Sequence, residues 1–197
     1  MAKKGRRAQR RRKQRRRAIK LLDRMHMALG NFLTEMGRLE LKMLLLGEMI
    51  SEEPMEYLFE GYAKLTFGPK IDWLKKRCAN SEPMKKYKAE LDRIYTEMDG
   101  LLKKRNYLTH GETYEESFKG RPRAPYRVGM TKDNVEYLDD FDHAQHGDNV
   151  FDIQQVKDAT NVCVQIRESI EAVGQDLSDN AIPHEESGDI DWPEAKG

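Results

Sequence analysis

Apolar residues recur at Leu22, Met25, Leu29, Phe32, Met36, Leu39, Met43, Leu46 and Ile50, in alternating steps of three and four. That alternation keeps side chains on one face of an α-helix and does not match the two-residue period of a strand. A helix carrying one long apolar face is stable only when other elements cover that face, so this segment requires helical partners elsewhere in the chain. Ser51 to Pro54 ends it.

Three further stretches carry the same period. Leu58, Tyr62 and Leu65 open the next, which Gly68-Pro69 interrupts with a bend or short loop, Thr66 or Phe67 lying near the break, before it resumes through Ile71, Leu74 and Cys78. Another opens after Ser81, a candidate N-cap with Pro83 in the first turn, and sets Met84, Tyr87, Leu91, Ile94, Met98 and Leu101 on one face. The last sets Val156, Ala159, Cys163, Ile166, Ile170, Val173 and Leu177 on one face. Between Gly111 and Asn149 the period is lost, and Gly120, Pro122, Pro125 and Gly129 mark a loop-rich insert, with a short hairpin expected around Tyr126 to Met130 and Val135 to Leu138. The pattern predicts an all-α bundle of four to five helices, from about Leu22 to Ile50, Met55 to Cys78, Met84 to His110 and Asp152 to Leu177.

The ends of the chain have a different character. Lys3 to Lys20 holds twelve Lys or Arg and no acid, so a formal net charge of +1 leaves about −11 for the remainder. Residues 1–17 have almost no apolar side chains and cannot bury enough surface to offset their ordering entropy, so they are expected to form a disordered basic arm. Arg6, Arg7, Arg10, Arg11, Arg12, Lys13, Arg15, Arg16 and Arg17 are then candidate contacts to RNA, because every phosphate they neutralise releases condensed counterions. A solvated tail, charge-driven adhesion to ribosomes or a targeting signal would have the same composition. Residues 18–178 are expected to form one folded domain and 179–197 an acidic, disordered tail.

No apolar run reaches the roughly 18 to 20 residues that a membrane helix needs; the longest candidate, Leu41 to Ile50, is broken by Lys42 and Glu48. Cys78 and Cys163 stand alone, without CxxC or Cys/His spacing, which fits small buried residues in a reducing compartment and gives no zinc site. A cytoplasmic location without membrane attachment is expected. His143 and His146 lie three apart among Asp139, Asp140, Asp142 and Asp148, a spacing better suited to a solvated acidic turn than to a metal site. His26 and His184 have no evident partners, and no phosphate loop or Ser/His/Asp arrangement is present, so no metal or cofactor is expected.

One residue breaks the apolar pattern. Continuing the face that ends at Leu101 lands on Arg105 and then Leu108, and a guanidinium on such a seam is costly unless it is paired, hydrogen-bonded or opened to a ligand. Asn106 and His110 are four residues apart, so on a continuous helix they share a face and Asn106 can orient the imidazole. Gly111 is the expected stop. An imidazole that titrates near neutral pH can move protons at a ribose 2′-hydroxyl or a 5′-leaving oxygen, while Arg holds the phosphate. The plainer alternative is a helix-terminal histidine beside an Arg paired with Glu97, Asp99 or Glu112.

The string Lys104-Arg105-Asn106-Tyr107-Leu108-Thr109-His110-Gly111 resembles the Arg-Asn-x-x-x-His motif of the HEPN superfamily, with helices before it and a final helix after it, over roughly Leu22 to Leu177. That resemblance implies a HEPN-like helical bundle, commonly a homodimer with the two motifs facing each other, and metal-independent endoribonuclease activity in toxin–antitoxin or antiviral systems. Arg105 would engage phosphate, Asn106 would orient, and His110 would act as acid or base. The insert after Gly111, with Tyr114, Arg121, Arg123 and Arg127, departs from the pattern and bears on substrate access. Other members of the family only bind RNA or nucleotides, so three functions compete: a ribonuclease, a non-catalytic RNA- or nucleotide-binding module, and a dimeric interaction protein with a polyanion-binding arm and a possible antitoxin or other protein partner.

Overall fold

The apolar stripe of the first helix is buried as its period requires: Met25, Phe32, Leu39 and Met43 are wholly enclosed, with Leu29, Met36 and Leu46 nearly so. Each such side chain contributes about 1.5–3 kcal/mol on burial, several times what helix propensity or an exposed ion pair supplies, so the stripe decides where this helix sits. In a computed structural model the chain is described over residues 2–51, 54–114, 117–118, 121–122, 126–128 and 150–181. It is predominantly helical: α1 (Ala2–Met49), α2 (Met55–Ala63), α3 (Phe67–Asn80), a 3-10 helix (Glu82–Tyr87), α4 (Lys88–His110) and α5 (Ile153–Ala181). Among the described residues, five short strands lie between α4 and α5: β1 (Glu112–Tyr114), β2 (Ser117–Phe118), β3 (Arg121–Pro122), β4 (Tyr126–Val128) and β5 (Val150–Phe151).

Helix α1 packs most extensively on α5, α5 on α4, α4 on α3, and α3 back on α1, which closes a bundle around one apolar core. All the periodic residues expected on the last helix are buried, from Val156 through Cys163 and Ile170 to Leu177. Asp152 caps α5: its Oδ1 accepts the Gln155 backbone N–H at 2.8 Å, while its own N–H donates to Gln155 Oε1 at 2.8 Å. This reciprocal box satisfies donors that the first helical turn leaves without partners.

Helix α1 runs without a break from Ala2 into the packed stripe, so the backbone of the basic run belongs to this helix. Arg, Lys, Gln and Ala favour helix, and a segment that extends an already formed helix avoids the cost of nucleation. The break between α2 and α3 falls at Lys64–Thr66, ahead of Gly68-Pro69. Thr66 is the N-cap of α3, so Pro69 lies in the first turn, where an absent N–H costs no helical bond. In the insert, β4 pairs antiparallel with β1, setting Thr113 opposite Arg127, and with β5, setting Val128 opposite Val150. Val135 to Leu138, the His143/His146 pair and most of the acidic tail lie outside the described residues, although α5 carries the helix as far as Ala181.

Gly47 marks a close approach. A Cβ there would meet the Trp73 ring at 2.2 Å, so only glycine lets the indole lie across α1. The same ring makes an edge contact with Tyr62, centroids 4.9 Å apart, and carries the Arg77 guanidinium 4.6 Å from its centroid. Gly47→Ala is expected to destabilise the fold by about 1–3 kcal/mol through overpacking, whereas Gly100→Ala, where a Cβ meets nothing within 4 Å, should stabilise by roughly 0.5–1 kcal/mol. Urea denaturation of the two variants checks the difference in sign.

Candidate functional site

Helix α4 carries Ile94, Met98, Leu101 and Leu108 into the core, and Arg105 occupies the interrupted position of that seam, half-buried. Asn106 and His110 are exposed in the last two turns. Gly111 ends the helix in extended backbone, with φ −78° and its N–H donating to the Tyr107 carbonyl at 2.9 Å, so the stop does not use glycine's left-handed freedom. Strand β1 leaves directly from this end. Phe151 of β5 is buried, and its ring lies 6.3 Å from that of Tyr107, which sets the small sheet against the final turns of α4.

The Arg105 guanidinium donates from Nη1 to Asn106 Oδ1 at 3.3 Å. Among the described residues Arg105 has no carboxylate partner: Glu97 pairs with Arg93 at 2.5 Å and Asp99 with Lys75 at 3.1 Å. The side chain of Glu112 is outside the described set. No hydrogen bond joins Asn106 to His110 among the described residues, so the amide is turned toward the neighbouring guanidinium and not toward the imidazole. Arg105 and Asn106 are thus brought together, while His110 stands one turn farther on.

The second set of predicted contacts lies on the N-terminal part of α1. Arg12, Lys13, Arg15, Arg16 and Arg17 are exposed, and the first core residue of this helix is Met25. At 1.5 Å per residue, the part of α1 ahead of the core is a rod about 35 Å long. The side chains of Arg6, Arg7, Arg10 and Arg11 are outside the described set, although their backbone belongs to the same helix.

Two grooves formed by described residues lie away from Arg105, Asn106 and His110. One, of about 650 Å³, lies between α1 and α5, where Lys42, Leu45, Met49, Glu171 and Gln175 line it. The other, of about 460 Å³, lies beside the 3-10 helix and is lined by Cys78, Met84, Leu91 and Tyr95 together with Lys75 and Asp92. Burial raises the Cys78 thiol and pushes Cys163 up to about 12, with Glu35 nearby acting in the same direction on Cys163. Neither sulfur is a thiolate at neutral pH. Among the described residues no three His, Cys, Asp or Glu side chains are grouped so as to hold a metal ion, and no helix is long and apolar enough to cross a membrane.

The fold and these surfaces define a helical bundle with a basic helical extension and a solvent-facing Arg-Asn-x-x-x-His segment at the end of α4. No family model, curated protein or solved structure matches the chain.

Sequence reasoning missed the Lys70–Glu40 ion pair, in which Lys70 is only 9% exposed. Tyr62 Oη donates to the Glu40 carbonyl at 2.6 Å, and the Lys70 ammonium lies 4.8 Å from the Tyr62 ring centroid. The available signal was the position of Lys70 beside Ile71 and Leu74 on the inward face of α3.

Two measurements follow from this geometry. A thiol-alkylating reagent at neutral pH should leave Cys78 and Cys163 unlabelled in the folded protein and label both in denaturant. Asn106→Ala and His110→Ala, at exposed positions, should each change unfolding free energy by less than about 0.5 kcal/mol, so any drop in activity in them reports chemistry and not folding.

Proposed function

We propose that the chain is an RNA-binding protein that cleaves RNA without a metal, with Arg105, Asn106 and His110 as its centre and the basic part of α1 supplying phosphate contacts. The observation that carries this reading is the half-buried Arg105 guanidinium, which lacks a carboxylate partner among the described residues and sits one turn before an exposed histidine. A cation held in that way is suited to an incoming anion, and phosphate fits the planar fork.

In the proposed scheme the ribose 2′-hydroxyl attacks the adjacent phosphorus and the bond to the 5′-oxygen breaks. His110 takes the proton from the nucleophile or gives one to the leaving oxygen, and Arg105 offsets the charge that develops on phosphate. The products are a 2′,3′-cyclic phosphate and a 5′-hydroxyl. Asn106, bonded to the Arg105 guanidinium, holds the fork in place and contributes less than either partner. The likeness to HEPN ribonucleases supports this reading, and with it a role in a toxin–antitoxin or antiviral system.

A binding module without cleavage is the second reading, favoured by the exposed cations of α1 and by the absence of a hydrogen bond from Asn106 to His110 among the described residues. Pure wild-type protein and His110→Ala, incubated with one RNA in EDTA, separate the two. Cleavage by the wild type, lower by roughly two to four orders of magnitude in the variant, supports the enzyme. Arg105→Lys should not rescue Arg105→Ala, since an ammonium lacks the fork. Equal rates in wild type and His110→Ala would place the chemistry elsewhere, and RNA bound but uncut by both would favour the binding module. Removing residues 1–17 should weaken RNA binding and lower the salt slope by about 0.7 for each phosphate that the arm no longer neutralises.

A further inference from the structure

Helix α1 runs parallel to α5, and α4 runs against it. Met36 meets Cys163 and Lys42 meets Glu171, whereas Lys86, just ahead of α4, reaches Asp176 and Arg93 reaches Ser169. Ten residues back from Cys163 is Ile153, where α5 begins, and ten back from Met36 is His26. The part of α1 ahead of His26 therefore projects beyond the start of α5. The last turn of α4 is at the same end of the bundle, because the ring of Tyr107 lies 6.3 Å from that of Phe151, two residues before α5. Strands of the insert tie these parts together, β3 lying against α1, β4 against α4 and β5 against α5. The basic extension and the Arg105–His110 surface thus share one end of the molecule.

The cations of this end are not neutralised within the chain. Arg16, Arg17, Lys103 and Lys104 are exposed and form no ion pair among the described residues, and neither does Arg105. Helix α5 separates α1 from α4, and Lys157, exposed near its start, is likewise unpaired among the described residues. The described acids here are Asp23, Asp152 and Asp158; Asp152 caps α5, and Asp158 accepts a hydrogen bond from Gln154. Farther along the bundle, by contrast, Lys75 is held by Asp99, Lys86 by Asp176 and Arg93 by Glu90 and Glu97. Unpaired charge of one sign gathered at one end attracts a polyanion and raises its local concentration there.

The spacing of the two groups decides how long that polyanion must be. Arg17 stands nine residues ahead of His26, about 14 Å along the axis of α1. With neighbouring helices 8–10 Å apart, α1 and α4 are separated by roughly 13 Å across the bundle. The distance from Arg17 to the end of α4 is then on the order of 20 Å, too far for one phosphate and matched by about six nucleotides of a strand at roughly 3.4 Å each.

We propose that the basic extension of α1 and the Arg105–His110 surface are two parts of one track, occupied together by a single RNA strand that crosses the start of α5 past Lys157. This deepens the RNA reading given under Proposed function and rests on it. The ligand is an RNA of at least about six nucleotides, held by its backbone at the rod while another part of the same strand lies at Arg105 and His110.

Fluorescence anisotropy on the full chain carrying His110→Ala, which keeps the RNA intact, measures this with labelled oligouridylates from about three to about twelve nucleotides long. Affinity should climb steeply up to about six to eight nucleotides and then level, with one decamer bound per chain. Arg16→Gln with Arg17→Gln should weaken decamer binding about tenfold, and so should Lys103→Gln with Lys104→Gln, all at exposed positions; either pair should change trimer binding less than about threefold, since a trimer reaches only one part of the track. A plateau at three or four nucleotides would overturn the proposal. So would a decamer that responds to the α1 substitutions and is indifferent to those on α4. Cleavage of the decamer by wild-type protein in EDTA is a separate readout: cutting that ignores length and the α1 substitutions keeps the ribonuclease and discards the track, whereas length-dependent binding without cutting keeps the track and discards the ribonuclease.

Discussion

The packing of α1 on α5 is the contact on which the rest of the molecule depends. Met36 and Cys163 meet at its centre, where the thiol donates to the thioether sulfur at 3.8 Å. Arg167 borders it, 3.4 Å from Glu35 and 3.1 Å from Glu171, and Lys42 reaches Glu171 at 3.1 Å. Partly exposed pairs such as Lys42–Glu171 contribute on the order of 0–1 kcal/mol, far less than the apolar residues beside them, so their effect is to select one register of two long helices. With that register set, α3 and α4 close the bundle from the other side, and the end of α4 is held where the small sheet meets it.

Helical periodicity is local information, and it carried over well wherever burial follows one face. The stripes of α1 and α5 are buried as their spacing implies, and α4 places Arg105 where its seam is interrupted. What periodicity does not carry is context. Pro69 reads as a breaker in isolation and is harmless once Thr66 starts the helix ahead of it. The basic run is read by composition as a separate arm, and composition does not register that it is continuous with a helix nucleated by tertiary packing. Strand pairing across the insert joins β1, β4 and β5 over long sequence separations, which no local pattern encodes.

The candidate site was legible in part for the same reason. Arg105 announced itself as a charge at an apolar position, but the direction of Asn106 depends on which neighbour its amide meets, and the adjacent guanidinium wins over the imidazole a turn away.

The continuity of α1 also determines how its cations are displayed. Successive residues on a helix turn by about 100°, so the run from Arg12 to Arg17 spreads positive charge over roughly half of the circumference of a stiff rod. A flat patch can satisfy one polyanion from one direction. A rod charged over half its circumference can meet a polyanion from a wide range of directions, and because it is fused to the core helix, any torque applied at its tip is delivered to the α1–α5 seam.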